Sequence, residues 1–349
     1  GQGCHGGGGG GGYSGGDGGR VAGGGGSYNA GTESFSLTGM GDGHGYVIIE
    51  GTVLSASGGG SGSGSGGEGG VFGFTTCGAG SQNGPTQDQC DEEYLGTTLE
   101  GWTTVTGGIQ QWVAPVDGEY MITAVGARGA SGDSGYLGGL GVEMTGTFLF
   151  TEGTVLYIAV GQQGSGQSSG SNGGGGGGSW VVQEGDIPLV IAGGGGGTRE
   201  EVLQDGCDAT TSAYGVTGSA SIETWSCAER TGVIGTGGIV SGASWGSGGG
   251  GLETDGAAEY GDTNGGSSWF NGLNGGYSPD SCGDTAAGGF GGGGSGQGCH
   301  GGGGGGGYSG GDGGRVAGGG GSYNAGAEPF SLVGVGDSDG FVIIDATAL

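Results

Sequence analysis

Residues 173–197 read GGGGGGSWVVQEGDIPLVIAGGGGG. Two apolar runs, Ser179–Gln183 and Pro188–Ala192, meet through the turn signal Glu184-Gly185-Asp186 and lie between unbroken glycine tracts. Short β-branched and aromatic runs bounded by Gly and Asp predict a hairpin. Tracts that abut strands on both sides predict one folded body in which strands and glycines share the architecture.

The same alternation extends in both directions. Gln111–Val116 passes through Asp117-Gly118 into Glu119–Ala127, where Tyr120, Ile122 and Ala124 alternate with Met121, Thr123 and Val125. Val142–Phe150 turns at Glu152-Gly153 into Thr154–Val160, and Gly340–Asp345 (GFVIID) ends the series. No stretch sustains a helical apolar period. The expected fold is all-β, a sandwich with Greek-key-like connections and almost no α-helix.

Glycine makes up 114 of 349 residues. Five prolines and the lack of a G-X-Y period exclude collagen. A flexible-linker composition fits Ser55–Gly70 (SASGGGSGSGSGGEGG) but not the runs above. Long tracts recur at 6–12, 23–26, 173–178, 193–197, 248–251, 291–294, 301–307 and 318–321. Ordering one tract alone is entropically costly. Several together can adopt the left-handed threefold helix of polyproline II, rising about 3.1 Å per residue, and satisfy their N–H and C=O groups on one another. A bundle of polyglycine II helices, mainly within 161–326, is therefore expected to be inserted into the sandwich.

The basic residues are five arginines, lysine is absent, and 34 acidic residues leave a net charge of −29. This balance argues against nucleic acid and anionic membrane surfaces as partners. No apolar run is long enough to span a membrane.

Residues 1–31 recur unchanged as 296–326, and the next nineteen positions differ at eight: Thr32/Ala327, Ser34/Pro329, Thr38/Val333, Met40/Val335, Gly43/Ser338, His44/Asp339, Tyr46/Phe341 and Glu50/Asp345. An offset of 295 residues is the length of a domain and exceeds any solenoid repeat. The expected organisation is 1–53 as the C-terminal part of a preceding module, 54–70 as a Gly/Ser linker and 71–349 as one complete module. Of seven cysteines, Cys4 copies Cys299, so the complete module holds six. Fifteen pairings are open to six cysteines. Sequence neighbours suggest Cys77–Cys90, Cys207–Cys227 and Cys282–Cys299, with Cys4 pairing outside its local segment. No C-x-x-C spacing suggests zinc, and an oxidising extracellular setting follows.

Catalytic patterns are explained by composition. Gly12–Gly16 (GYSGG, repeated around Ser309) and Gly242–Gly246 (GASWG) fit G-x-S-x-G, but the strand–elbow–helix context is missing. A Walker A loop needs the lysine that the chain lacks. His5 and His300 are expected to pack at the bundle edge. Asp88, Asp91, Glu92 and Glu93, and Asp337 with Asp339, are weak Ca²⁺ candidates; a solvated face is the simpler reading. No catalytic residue and no cofactor is expected. Trp102, Trp112, Trp180, Trp225, Trp245 and Trp269 are expected in the core or capping the bundle, a minority at subunit contacts.

Phe74–Tyr94 (FTTCGAGSQNGPTQDQCDEEY), Gly108–Trp112 (GIQQW), Leu156–Gly164 (LYIAVGQQG), Gly173–Val181, Pro188–Gly197 and Gly288–Gly311 follow in this order. This series resembles the glycine-rich extracellular region of the anaplastic lymphoma kinase and leukocyte tyrosine kinase receptors, across about residues 71–349. The resemblance implies a TNF-like, jelly-roll-like sandwich carrying a polyglycine-helix bundle, and it favours the Cys77–Cys90 bridge. It does not carry over the receptors' activity, since kinase signatures are absent from this sequence. The leading expectation is a non-enzymatic, secreted structural protein whose tandem modules assemble with further copies of themselves into a filament, flagellar-hair-like surface appendage or matrix. The alternative is a receptor-type or adhesin ectodomain that binds a surface protein or glycan.

Overall fold

Period-two alternation and paired turn signals produce two antiparallel sheets. The computed structural model describes residues 69–349 except 81, 133–134, 167–171, 200, 222, 224–225, 242–245, 259–263, 278–284 and 298–300. In chain order the strands are β1 (Val71–Phe74), β2 (Thr104–Thr106), β3 (Ile109–Val113), β4 (Gly118–Val125), β5 (Gly141–Phe150), β6 (Val155–Ala159), β7 (Ser179–Gln183), β8 (Ile187–Ala192), β9 (Thr285–Ala286), β10 (Gly296–Gln297), β11 (Tyr323–Asn324), β12 (Ala327–Gly336) and β13 (Phe341–Ala348). One large sheet runs β1-β13-β4-β5-β12 and the second β11-β8-β7-β6-β3-β2, forming a β-sandwich, while β9 and β10 pair in a separate two-stranded sheet.

Inward-facing residues of both sheets make the core, among them Phe74, Trp112, Tyr120, Ile122, Ile158 and Ile344. Trp112 packs against Phe72 with ring centroids 4.9 Å apart. The buried Tyr120 hydroxyl donates to the Val116 carbonyl at 2.7 Å, which fixes the corner entering β4. Along β7, Val181 faces this core, whereas Trp180 and Val182 face the opposite way, onto Trp269, Leu273 and Phe290 of the glycine-rich region. The strands of 179–192 are covered on both faces, which explains why they read as continuous apolar runs.

That region enters between β6 and β7 and again between β8 and β11. Its tracts hydrogen-bond sideways. Gly173 and Gly176 donate to Thr198 and Gly195, Gly174 and Gly177 to Ser165 and Gln162, and Gly175 and Gly178 to Gly294 and Gly291, all at 2.7–3.0 Å. Every third residue thus turns to the same neighbour, in three directions. Gly303 and Gly306 likewise donate to Gly173 and Gly176, and Gly304 and Gly307 to Ser247 and Gly250. A β-carbon at Gly175 or Gly177 would collide with the carbonyl oxygen of Gly304 or Phe290. Backbones this close leave no room for any other residue type.

Two elements depart from expectation. Thr86 and Gln89 form a reciprocal capping box that starts the short helix α1, Gln87–Glu93. β12 is an almost wholly exposed edge strand containing Pro329 and Gly334, so it lacks the alternation that marks the other strands; pairing with β5 creates it. The copy differences at Ala327, Pro329 and Val333 fall on exposed β12 positions, beyond the end of the unchanged 296–326 segment.

Candidate binding groove

The segment after β8 folds back along the approach to β5. Gly206 N donates to the Leu137 carbonyl (2.8 Å) and Ala209 N to that of Leu140 (2.9 Å), while the Cys207–Cys227 disulfide, with a Cα–Cα distance of 5.5 Å, ties the segment to 227–229. Between sandwich and glycine-rich region opens a groove of about 600 Å³, walled by Arg128, Leu140, Asp205, Asp208, Glu229 and Val333.

Its carboxylates are held in place from one side. Leu137 N donates to Asp205 Oδ1 at 2.8 Å, Leu140 N to Asp208 Oδ1 at 2.7 Å, and Thr210 Oγ1 to Glu229 Oε1 at 2.9 Å. Arg128 donates from Nε to the Gly138 carbonyl at 3.2 Å. Burial pushes the Asp208 carboxyl above the usual range and Asp205 adds to this, outweighing the Leu140 N–H and the Arg128 guanidinium. Three carboxylates beside one guanidinium, flanked by Leu140 and Val333, suit an apolar group carrying a cation.

The Ca²⁺ candidates are not brought together. Asp88, Asp91 and Glu92 lie exposed on α1, where Gln87 Nε2 donates to Asp91 Oδ1 at 2.7 Å. Asp339 accepts from Gln163 N at 2.6 Å, and burial raises its carboxyl. Asp337 is half-buried in the turn after β12. Among the described residues no three His, Cys, Asp or Glu side chains form a metal-holding group. Ser309 of GYSGG is fully buried; its Oγ donates to the Ala213 carbonyl (2.6 Å) and accepts from Gly235 N (2.8 Å), so it is a structural serine. Ser14, Ser244, Trp225, Trp245, Cys4, Cys282 and Cys299 lie outside the described residues, and with them the Cys282–Cys299 pairing. Trp112, Trp180 and Trp269 are buried, while Trp102 is exposed.

Cys77 and Cys90 form a disulfide with a Cα–Cα distance of 4.9 Å. Beside it, Tyr94 OH donates to Gln110 Oε1 (2.7 Å) and accepts from Thr75 N (3.1 Å), while Gln110 Nε2 donates to the Thr75 carbonyl (2.9 Å). Burial pushes the Tyr94 phenol up to about 12. The groove residues are not among the candidates legible in the sequence, because they come together only when 128–140, 204–210 and 227–229 converge.

No family model matches the chain. Over 99 residues it is 39% identical to the leukocyte tyrosine kinase receptor of Mus musculus, a match covering 27% of this chain and 11% of that receptor. Among the described residues no helix is long and apolar enough to cross a membrane.

Proposed function

We propose that the chain is a non-enzymatic, extracellular recognition module of receptor-ectodomain type, in which a glycine-rich body braces a sandwich and the groove between them receives a protein partner. The observation that carries this is the groove itself, where backbone N–H groups pre-set Asp205 and Asp208 and the Thr210 hydroxyl pre-sets Glu229, so that little reordering is needed on binding. The likeness to a receptor and the two disulfides support an extracellular setting. The period-three hydrogen bonds support reading the tracts as polyglycine II helices. The test is a panel of immobilised basic, neutral and acidic peptides and glycans, probed with the intact chain and with Asp205→Asn/Glu229→Gln. Binding weakened about tenfold by the double variant supports the reading; binding to none of the panel refutes it.

A second reading, tandem modules assembling into a filament or appendage, draws on the unchanged copy of 296–326 at 1–31. In the complete module β12 and β13 are separated by β4 and β5. The β12- and β13-like sequences at 32–50 therefore call for equivalents of β4 and β5, which residues 1–68 do not contain and an adjoining module would supply.

A further inference from the structure

The Cys207–Cys227 disulfide presents its two sulfurs to different surroundings. Cys227 is half-buried and lines the groove, where Gln204 Nε2 donates to its Sγ at 3.7 Å. Cys207 is 1% exposed and packs in a small apolar cluster with Val202, Val216 and Val316. The Cys77–Cys90 bridge has no such opening, since Cys77 is 4% and Cys90 0% exposed. Thiol–disulfide exchange needs a thiolate to reach one sulfur, so access decides which bridge reacts and at which end.

Both cysteines are held by bonds that do not involve sulfur. Cys207 N donates to the Ala317 carbonyl, and the Cys207 carbonyl accepts from Gly196 N, both at 3.0 Å. Beside Cys227, Val216 and Glu229 form an antiparallel bridge, flanked by bonds from Thr217 N to the Ala228 carbonyl (2.8 Å) and from Arg230 N to the Gly215 carbonyl (2.7 Å). Opening the disulfide therefore leaves its sulfurs close together. The apolar setting disfavours a Cys207 thiolate, which drives reclosure. Charge at the groove wall selects the attacker, because Asp205, Asp208 and Glu229 stand there with one guanidinium, that of Arg128.

We propose that Cys227 Sγ is a reversible thiol-exchange site, entered through the groove and selective for small aminothiols. The aminothiol's thiolate attacks Cys227 Sγ, and a mixed disulfide forms there as the Cys207–Cys227 bond breaks. Cys207 leaves as a thiolate and takes a proton from water. Its return attack on Cys227 expels the aminothiol, so no oxidant or reductant is consumed over the cycle. This chemistry needs no protein partner in the groove.

The intact chain is briefly exposed to cysteamine, 2-mercaptoethanol or 3-mercaptopropionate at equal thiolate concentration, quenched with iodoacetamide and mapped by peptide mass. The adduct is expected on Cys227 and the alkyl group on Cys207, with Cys77–Cys90 still closed. Cysteamine should react at least about tenfold faster than 3-mercaptopropionate, a ratio that shrinks in high salt and in Asp205→Asn/Glu229→Gln. A closed Cys77–Cys90 bridge in that variant reports that it is folded. Removing the thiol by gel filtration before the quench should restore Cys207–Cys227. No adduct, an adduct on Cys207, opening of Cys77–Cys90 at an equal or greater rate, equal rates for the three thiols at low salt, or a bridge that stays open after filtration overturns the proposal.

Discussion

Trp180 of β7 and Trp269 of the glycine-rich region stack with ring centroids 5.9 Å apart and planes inclined by 26°, and Trp269 Nε1 donates to Asp186 Oδ1 at 2.8 Å. This pair joins an otherwise side-chain-poor region to the outer face of a sheet. Trp269→Ala should cost about 3–5 kcal/mol, and Trp269→Phe, which keeps a ring but loses the bond to Asp186, about 1–2 kcal/mol. Urea unfolding followed by far-UV circular dichroism measures both.

Glycine within the tracts is required by space. Gly177→Ala would drive a methyl group into the Phe290 carbonyl and should destabilise by about 2–3 kcal/mol. Gly80, whose β-carbon would meet nothing within 4 Å, is the control, and Gly80→Ala should fall within about 0.5 kcal/mol of the parent. Equal effects on the thermal midpoint at the two sites would contradict the packing described above.

Tyr94→Phe leaves Gln110 Oε1 buried without its donor and should cost about 1–3 kcal/mol. Removing the Cys77–Cys90 bridge, which closes a separation of 13 residues, should cost about 3 kcal/mol. The two lesions sit side by side and should not add, which a double-mutant cycle in urea would detect.

Burial raises the carboxyls of Glu143, Asp208, Asp312 and Asp339. With folded values above the ordinary 4.5 of Glu and 3.8 of Asp, the folded chain binds more protons than the unfolded one, so stability falls as pH rises through that window. Asp255 opposes this: burial raises it, but hydrogen bonds from Ser268 and Asn271 outweigh burial and hold it low, a contribution lost as pH falls through its lowered value. Urea midpoints should therefore rise from neutral pH to about pH 5. Glu143→Gln should raise the neutral midpoint and flatten the slope.

β12 carries exposed Phe330, Leu332 and Val333 on a sheet edge, but Pro329 removes one N–H and Glu328 sits at φ 49°, within a register shift. Such features blunt edge pairing. The upstream copy has Ser34 in place of Pro329. Pro329→Ser should promote concentration-dependent association, visible by sedimentation velocity, with less than about 1 kcal/mol change in stability.

Strands that alternate or are buried on both faces were legible, since β4, β5, β7 and β8 follow Glu119–Ala127, Val142–Phe150 and the 179–192 hairpin within a few residues. β12 was not, because an exposed edge strand has no buried face to imprint on its residues. The Thr86–Gln89 capping box starting α1 is a local signal that the sequence does carry, in a seven-residue helix too short to show an apolar period.

The amino-acid sequence alone determined that the chain is a β protein with glycine tracts built into it, and that a long segment is duplicated. Those properties are written in local pattern, in turn residues and in repetition. Tertiary structure decided which tract bonds to which, and that Arg128 lines one groove with Asp205, Asp208 and Glu229. Glycine carries no side chain to encode a neighbour, so partners among tracts are selected only by the three-dimensional register that lets every backbone N–H find a carbonyl.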